Sequence, residues 1–325
     1  MAGIFPGLGG EKYVPYEERT GAESTVYFTR DLSPEGLRKI YEKVKAPIGG
    51  KVGVKLHTGE QNGPNIIPRP WVKELLEKEE ELKDAVIVET NTYYEGDRYT
   101  TEQHRKTLEV NGWTFCPVDI MDEDGTKTLP IEGGKWMKEM SVGDHMTDYD
   151  SLLILTHFKG HAMGGFGGVM KNASIGVAST AGKAYIHTAG KTDDAKIAWG
   201  PDYLAAGKTQ DLFLESMAAA AQAVHEYFNG NIIYINIMNN MSVDCDCDGH
   251  PAKPELQDMG IMASLDPVAV DQACLDKVFN YQGKPGDDNK PLIQRINRQH
   301  GTYITDYAEK IGLGSKKYEL INLDK

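Results

Sequence analysis

The chain has 325 residues, of which 40% are hydrophobic and 26% are charged. This composition is typical of a folded globular protein with one or two domains. The formal net charge is −13. Nonspecific binding to nucleic acid or to anionic membranes needs a basic surface, so the charge argues against both.

The apolar runs and the cysteines indicate where the protein works. The longest apolar candidates, residues 151–156 and 231–238, are strand-length and far short of the ~18 residues of a membrane span. The first residues lack the basic and long apolar segments of a secretory signal, and four cysteines are no disulfide framework. We therefore expect a cytoplasmic protein that binds a small molecule, and no nucleic acid or membrane. Homo-oligomerisation stays open.

Strand and helix signals alternate along the chain. Ser33 and Asp266 are suitable N-caps, each followed by a proline at the first helical position, and Asn111-Gly112 is a helix stop. The predicted strands are residues 25–29, 51–57, 85–90, 151–156, 183–187, 231–238 and 318–321. The predicted helices are residues 34–45, 70–82, 101–110, 209–228 and 266–281. This alternation predicts an α/β fold with a mostly parallel sheet and flanking helices, in one or two lobes, and a ligand crevice at the carboxyl ends of the strands.

The domain organisation is predicted from turn residues and composition. Residues 1–24 are rich in glycine and proline and are expected to form an irregular N-terminal arm. Residues 25–205 are expected to form an α/β lobe that carries a glycine-rich loop. Residues 206–325 are expected to form a second α/β lobe or a continuation of the first, because Gly200-Pro201 precedes a long helix.

A glycine-rich segment follows the predicted strand at residues 151–156. It begins with His157, Lys159 and His161, continues through several glycines, and ends with Lys171 and Asn172. Such glycines allow backbone N–H groups to approach an anion or a cofactor, and a lysine adds a point charge. The glycines in question are Gly164, Gly165, Gly167 and Gly168. The alternative is a packing loop with incidental histidines.

A second segment, residues 243–251, concentrates metal-binding side chains directly after the predicted strand at 231–238. Cys245 and Cys247 are spaced C-x-C, which suits one metal ion, and His250 is a candidate third ligand. The alternative is a polar turn with reduced cysteines. Of the two isolated cysteines, Cys274 lies in an apolar helix and is expected in the core.

Two more polar loops follow predicted strands. Residues 89–103 and residues 55–69 offer groups suited to hydrogen bonds and charge contacts with a small polar ligand, and the alternative for each is an ordinary connecting loop. The candidates are Asn91, Tyr93, Tyr94, Asp97 and Arg98 in the first loop, and Lys55, His57, Glu60, Asn65 and Arg69 in the second. Four polar loops after four strands predict one convergent crevice.

The motifs THFKGHAMGGFGGVMKNASIGVAS, DCDCDGHP and IMASLDPVAVDQA resemble an uncharacterised family often labelled iron–sulfur centre protein, a domain of unknown function. The resemblance covers most of the chain. Many members of that family carry a ferredoxin insert with cysteine quartets after the stretch that matches residues 183–187. This sequence has no such cysteines. The resemblance therefore implies an iron–sulfur cluster only if Cys245 and Cys247 hold one jointly with another subunit.

The same stretch also resembles the active-site segment of nickel-pincer lactate racemases. That family has a histidine, a lysine ten residues later and a second histidine sixteen residues after the lysine. The matching positions are His161, Lys171 and His187. The resemblance implies that His161 is an acid/base, that Lys171 anchors a pyridinium-type pincer nucleotide and that His187 binds nickel. Where the racemases have Gly-x-His-Arg, this sequence has Gly96-Asp97-Arg98, and a carboxylate there is suited to proton transfer.

The first hypothesis is a metal- or cofactor-dependent enzyme of the isomerase or oxidoreductase class. It would act on a small hydroxy or carboxylate anion by proton abstraction coupled to hydride transfer. The catalytic candidates are His161, Asp97 and His157, and the substrate-binding candidates are Lys55, His57, Arg69 and Arg98. The cofactor-binding candidates are Lys171, the four loop glycines and Asn172.

The position and the kind of metal stay open. The metal would lie on His187 near Lys171, or separately on Cys245, Cys247 and His250, and nickel, iron and zinc are not distinguished. A second hypothesis is a metal-binding or iron–sulfur redox protein without substrate turnover. A third is an anion- or nucleotide-binding protein that uses the glycine-rich segment.

Overall fold

The computed structural model describes residues 13–200 and 210–324. Their centre is an eight-stranded sheet of order β12-β1-β11-β10-β7-β2-β3-β4. All neighbouring strands in it are parallel except for the two pairs that contain β11. Its strands are β1 Ser24–Thr29, β2 Val52–Lys55, β3 Val86–Glu89, β4 Val118–Ile120, β7 Ser151–His157, β10 Ile232–Met238, β11 Gly260–Ser264 and β12 Tyr318–Asn322. The predicted α/β class with a mostly parallel sheet is confirmed.

Two hairpins outside the central sheet were not predicted. The first joins β5 Thr126–Pro130 to β6 Glu139–Gly143, and the second joins β8 Lys159–His161 to β9 Gly165–Gly167. The second hairpin lies within the glycine-rich segment. Its glycines therefore form short paired strands, where the absence of a side chain permits close packing against neighbouring backbone.

Helices cover both faces of the sheet. They are α1 Pro34–Val44, α2 Arg69–Lys78, α3 Thr101–Val110, α4 Val169–Ser174, α5 Thr180–His187, α6 Ala195–Ala198, α7 Gln210–Tyr227, α8 Pro267–Phe279, α9 Lys290–Arg298 and α10 Tyr303–Lys310. The predicted caps form, because the Ser33 side chain accepts a hydrogen bond from Gly36 N and the Asp266 side chain accepts from Val268 N. Within the described residues, no helix has the length and apolar character needed to cross a membrane.

The core is divided by the sheet into two layers. Leu153 and Ile233 face the layer formed with α1 and α2, while their neighbours Leu152 and Ile232 face the layer formed with α4, α7 and α8. This alternation follows from the two-residue period of side chains along a strand. Central strands β7 and β10 are buried on both faces, as expected of strands in a parallel sheet covered by helices.

The prediction of a strand at residues 183–187 is wrong, because these residues form the last part of helix α5, Thr180–His187. The Ser179 side chain accepts a hydrogen bond from Gly182 N and so caps the helix. Five residues of mixed apolar and polar type, such as 183–187, do not distinguish a strand from a buried helix segment. The preceding Ser-Thr pair was the helix-start signal that decides between them.

Strands from both sides of residue 205 belong to one sheet, since β10, β11 and β12 pair with β7 and β1. Of the predicted arm, residues 1–12 lie outside the described residues, as do residues 201–209 at the predicted boundary. The rest of the arm is tied down at Arg19, whose guanidinium contacts both Asp276 oxygens at 2.6 and 2.5 Å. Such a bidentate pair adds geometric specificity to the charge attraction.

Close backbone packing of β8 gives a test of the fold. A Cβ on Gly160 would lie 2.3 Å from the Val243 carbonyl oxygen, and backbone cannot move aside as a side-chain tip does. We expect Gly160→Ala to lower the free energy of unfolding by about 1–3 kcal/mol, as overpacking does. The measurement is chemical denaturation. The control is Gly49→Ala, where a Cβ meets nothing within 4 Å, and equal effects in both variants would contradict the packing.

Candidate functional site

A cavity of about 740 Å³ opens at the carboxyl ends of β2, β3, β7 and β10. Its walls come from the segments that follow these four strands, together with α4 and α5. The carboxyl ends of parallel strands meet at one edge of a sheet, which is where open α/β sheets bind ligands. The four polar loops singled out in the sequence therefore all reach one cavity.

Asp246 organises the loop after β10. One oxygen of the Asp246 carboxylate accepts a hydrogen bond from His157 Nδ1 at 2.9 Å, and Lys159 Nζ lies 3.2 Å from the other oxygen. The His157 Nε2 faces the Asn239 carbonyl oxygen at 2.6 Å, so both ring nitrogens are engaged within the protein. Burial opposes ionisation of Asp246, but the His157 and Lys159 charges outweigh it and hold its pKa below the usual range.

The two cysteines on either side of Asp246 come together with a histidine from β8. Ligand atoms of Cys245, Cys247 and His161 all lie within 4.8 Å of one another. The His161 Nδ1 accepts hydrogen bonds from Met163 N at 3.1 Å and Gly164 N at 3.0 Å. Nδ1 is thereby occupied, which fixes the ring and leaves Nε2 as the nitrogen available to a metal.

The protonation states of Cys245 and His161 suit metal binding. A hydrogen bond with Cys247, with the Lys159 and His161 groups nearby, holds the pKa of Cys245 well below its usual range, whereas the same hydrogen bond raises that of Cys247. Burial and the Lys171 charge lower the pKa of His161 to about 4. A thiolate and a neutral imidazole are the forms that ligate metals.

The donor set fits a metal ion with one open position. Around a tetrahedral ion, two sulfurs and one nitrogen would lie ~3.5–3.8 Å apart, and three protein ligands are the arrangement of catalytic zinc sites. His250, the predicted third ligand, is exposed and lies outside the trio, with its backbone N bonded to Asp248. Cys116 and Cys274 also lie outside the cavity, and Cys274 is buried in the core as predicted.

A buried charge network forms the wall contributed by β2 and β3. Lys55 Nζ donates to Glu89 at 2.7 Å, and Glu89 also accepts from Thr58 N at 2.9 Å. Arg98 donates to Glu60 through Nε at 3.0 Å and lies 3.9 Å from Glu89. Burial disfavours the Glu89 carboxylate, but Lys55 and Arg98 outweigh this and hold its pKa well below the usual range.

Lys171 reaches the cavity from α4. The Asp271 carboxylate accepts from Val169 N at 2.8 Å and Met170 N at 3.1 Å and so fixes the start of this short helix. The Asn172 amide donates to Thr156 Oγ1 at 2.9 Å and to two sheet carbonyls. Within the described residues, no carboxylate lies at ion-pair distance from Lys171, so it is free to meet an anionic ligand.

His187 lies in a row of stacked rings beside the cavity. Its ring stacks on Tyr93 at 4.6 Å and on Phe213 at 4.7 Å, and Tyr93 stacks on Trp199 at 5.3 Å. The His187 Nδ1 is hydrogen-bonded to the Lys183 carbonyl oxygen at 2.7 Å, and burial lowers the pKa of the ring to about 3. His187 lines the cavity but is not part of the thiol–imidazole trio.

The residues predicted for a catalytic, cofactor-binding, substrate-binding or metal-binding role divide into two sets. Those that line the cavity are Lys55, His57, Arg98, His157, His161, Gly167, Gly168, Lys171, Asn172, His187, Cys245 and Cys247. Those that the structure places outside its lining are Arg69, Asp97, Gly164, Gly165 and His250.

Three of the outlying residues have other positions in the fold. Asp97 is exposed, and its carboxylate accepts from Gln61 N at 3.3 Å, while Arg69 is the first residue of α2. Gly165 has a φ of +81° and packs on Gly301. Asp97 was predicted to carry a proton and Arg69 to bind a carboxylate. Neither residue lines the cavity in which these roles would be needed.

Sequence reasoning missed three residues of the site. Glu89 and Asp246 were not singled out, although Glu89 is the last residue of strand β3 and Asp246 lies in the loop after β10. Lys183 was missed because it lay in a segment predicted to be a strand. All three are buried, and Glu89 and Lys183 line the cavity.

Comparison with known protein families matches residues 52–276 to a domain of unknown function, DUF362. The chain belongs to the DUF362 family. This confirms the first resemblance drawn from the sequence, and the matched range contains every cavity-lining residue contributed by β2, β3, β7 and the loop after β10.

This DUF362 protein was also compared with curated proteins and with solved structures. No curated protein matches its sequence. Similar solved structures include the lactate racemase apoprotein from Thermoanaerobacterium thermosaccharolyticum, which is 11% identical with a TM-score of 0.38 and covers 98% of this chain and 88% of the racemase chain.

The Lys55–Glu89 pair predicts a large stability effect. Glu89→Gln keeps the shape but leaves the Lys55 charge buried and unpaired, which costs about 3–5 kcal/mol. Denaturant unfolding measures it. The matched control is Glu80→Gln, which removes an exposed pair with Lys83 and should change stability by less than about 1 kcal/mol. A similar small change in both variants would refute the network.

The depressed pKa of Glu89 also sets the sign of a pH effect. A carboxylate with a folded-state pKa below its unfolded value stabilises the protein above about pH 4, and this stabilisation is lost as the pH falls. We expect the free energy of unfolding of the wild type to decrease as the pH falls, and that of Glu89→Gln to decrease less steeply. An equal slope for both, measured by unfolding between neutral and acidic pH, would contradict this.

Proposed function

We propose that this protein is a metal-dependent enzyme that acts on a small organic anion. The observation that carries the proposal is the position of Cys245, Cys247 and His161, three metal-ligating side chains within 4.8 Å, beside the unpaired Lys171 in one cavity. A structural metal site would use four protein ligands, whereas three leave a position for a substrate or water. The cavity, of about 740 Å³, has the size of small-molecule sites.

The charges of the cavity support an anionic substrate. Lys55 and Arg98 are neutralised by Glu89 and Glu60, whereas Lys171 has no such partner in the described part of the chain. A lysine ammonium in a partly dry cavity attracts a carboxylate strongly. We therefore assign Lys171 to the carboxylate of a hydroxy or related acid, and the row of stacked rings to the apolar side of the ligand.

The metal and the chain have separate tasks in this proposal. When bound, the metal supplies Lewis-acid polarisation of a substrate oxygen at the open position. His161 cannot also serve as the acid/base, because Nδ1 accepts two backbone hydrogen bonds and Nε2 faces the metal position. His157 is excluded from proton transfer for a similar reason, since Asp246 and the Asn239 carbonyl hold both of its nitrogens.

A finer version of the proposal includes an organic cofactor and the isomerase or oxidoreductase class. In this version, Lys171 and the ring row of His187, Tyr93 and Trp199 would hold a pyridinium-type nucleotide in place of the substrate, and the nucleotide would supply hydride transfer when bound. The aromatic residues that line the cavity and the adjacent cation support this position. Nickel would be the metal of this version, and zinc or iron would suit the thiolates equally.

Metal analysis of the anaerobically purified protein, with its visible spectrum, tests the proposal. We expect about one metal per chain with wild type, and a loss of at least about tenfold in metal affinity, seen as lower occupancy, with Cys245→Ser and with His161→Gln, because loss of a ligand exceeds the 10–100-fold effect of outer-shell changes on affinity. The control is His250→Ala on the same loop, which should retain the metal.

Three results would contradict the proposal, and each would favour a different function. Metal without turnover of any hydroxy acid would favour a metal-binding protein without a substrate. Iron with inorganic sulfide would favour an iron–sulfur protein. Metal-free protein that binds carboxylates or nucleotides would favour an anion-binding protein.

A further inference from the structure

Lys183 is a buried lysine of the cavity that the proposed metal site does not use. It lies in α5, is 6% exposed and lines the cavity. Its Nζ donates hydrogen bonds to Thr90 Oγ1 at 2.5 Å and to the Ala178 carbonyl oxygen at 2.5 Å. Within the described residues, it has no carboxylate at ion-pair distance, unlike Lys55 and Lys159.

The directions of these hydrogen bonds show which group of Lys183 Nζ has no hydrogen-bond partner among the described residues. The Thr90 hydroxyl donates its one proton to the Gly176 carbonyl at 3.0 Å, so it must accept from Lys183. The Ala178 carbonyl can only accept. Both N–H groups of a neutral amine are therefore engaged, and the lone pair is the group that remains. In the ammonium form, the third N–H occupies the same position.

The charges around Lys183 allow both forms near neutral pH. Burial disfavours the ammonium, Asp122 and Glu89 favour it, and Lys55 and Arg98 disfavour it. Together they lower the pKa of Lys183 to about 7. A general acid–base works best when its pKa lies near the working pH.

We propose that Lys183 is the acid–base residue of this site, an inference that rests on the proposed function. In the forward step, the Nζ lone pair takes the proton of the substrate hydroxyl, the O–H electron pair stays on oxygen, and Lys183 becomes an ammonium. In the reverse step, the ammonium returns that proton. This role replaces Asp97, which lies outside the cavity lining, and His161, whose Nδ1 accepts two backbone hydrogen bonds and whose Nε2 is assigned to the proposed metal.

Competitive labelling tests Lys183 without needing a substrate. Folded protein is treated with trace acetic anhydride at a series of pH values, and each lysine is quantified by mass spectrometry. We expect the reactivity of Lys183 to titrate near pH 7, well below the midpoint of a lysine in water, and exposed Lys196 is the internal reference in the same samples. A midpoint shared with Lys196, or a lack of reaction with Lys183 at every pH, would overturn the proposal.

Turnover of short 2-hydroxy acids tests the role itself. Lys183→Arg keeps a cation that cannot give up its proton, so we expect a loss of about 10²–10⁴-fold in kcat with metal content and KM retained. The control, Lys196→Arg, should equal wild type. Retained kcat in Lys183→Arg would overturn the proposal. If the metal-loaded wild type turns over no hydroxy acid, the proposed function fails, and the labelling midpoint still decides whether Lys183 is a base.

Discussion

The buried Asp246 carboxylate is the contact on which the site depends. It joins His157 and Lys159, at the end of β7 and the start of β8, to the loop after β10. Removing three charged or polar groups from water is costly unless they satisfy one another. The Asp246 backbone carbonyl also accepts a hydrogen bond from Glu60 N at 3.1 Å, which connects the loop after β2 to the same residue. Three segments far apart in sequence thus meet at one residue, and the two cysteines beside it are held in place.

The electrostatics of the cavity follow from which cations are neutralised. Three cationic side chains have buried or partly buried carboxylate partners, so their charges contribute to folding and to the shape of the wall. They are Lys55 with Glu89, Arg98 with Glu60 and Lys159 with Asp246. Lys171 and Lys183 have no such partner in the described chain, and both line the cavity. Structural ion pairs and ligand-binding charges are therefore separate sets of residues.

Much of this arrangement could be predicted from the sequence because it is local. Caps at Ser33 and Asp266, and the apolar runs of β7 and β10, predicted the α/β class and the crevice. The partner of the two cysteines could not be predicted, because His250 is near them in sequence whereas His161 reaches them only through the β8–β9 hairpin. Lys183 was missed because five apolar and polar residues fit a strand or a helix equally, and only the Ser179 cap distinguishes them.

X-ray absorption at the edge of the bound metal tests the central claim most directly, because it counts the ligating atoms. The account predicts two sulfur ligands at about 2.3 Å and one imidazole nitrogen at about 2.0 Å, with a lighter atom completing the shell. In Cys247→Ser, one sulfur should be lost from the shell. A bound metal with a shell of nitrogen and oxygen alone would contradict the assignment of Cys245, Cys247 and His161.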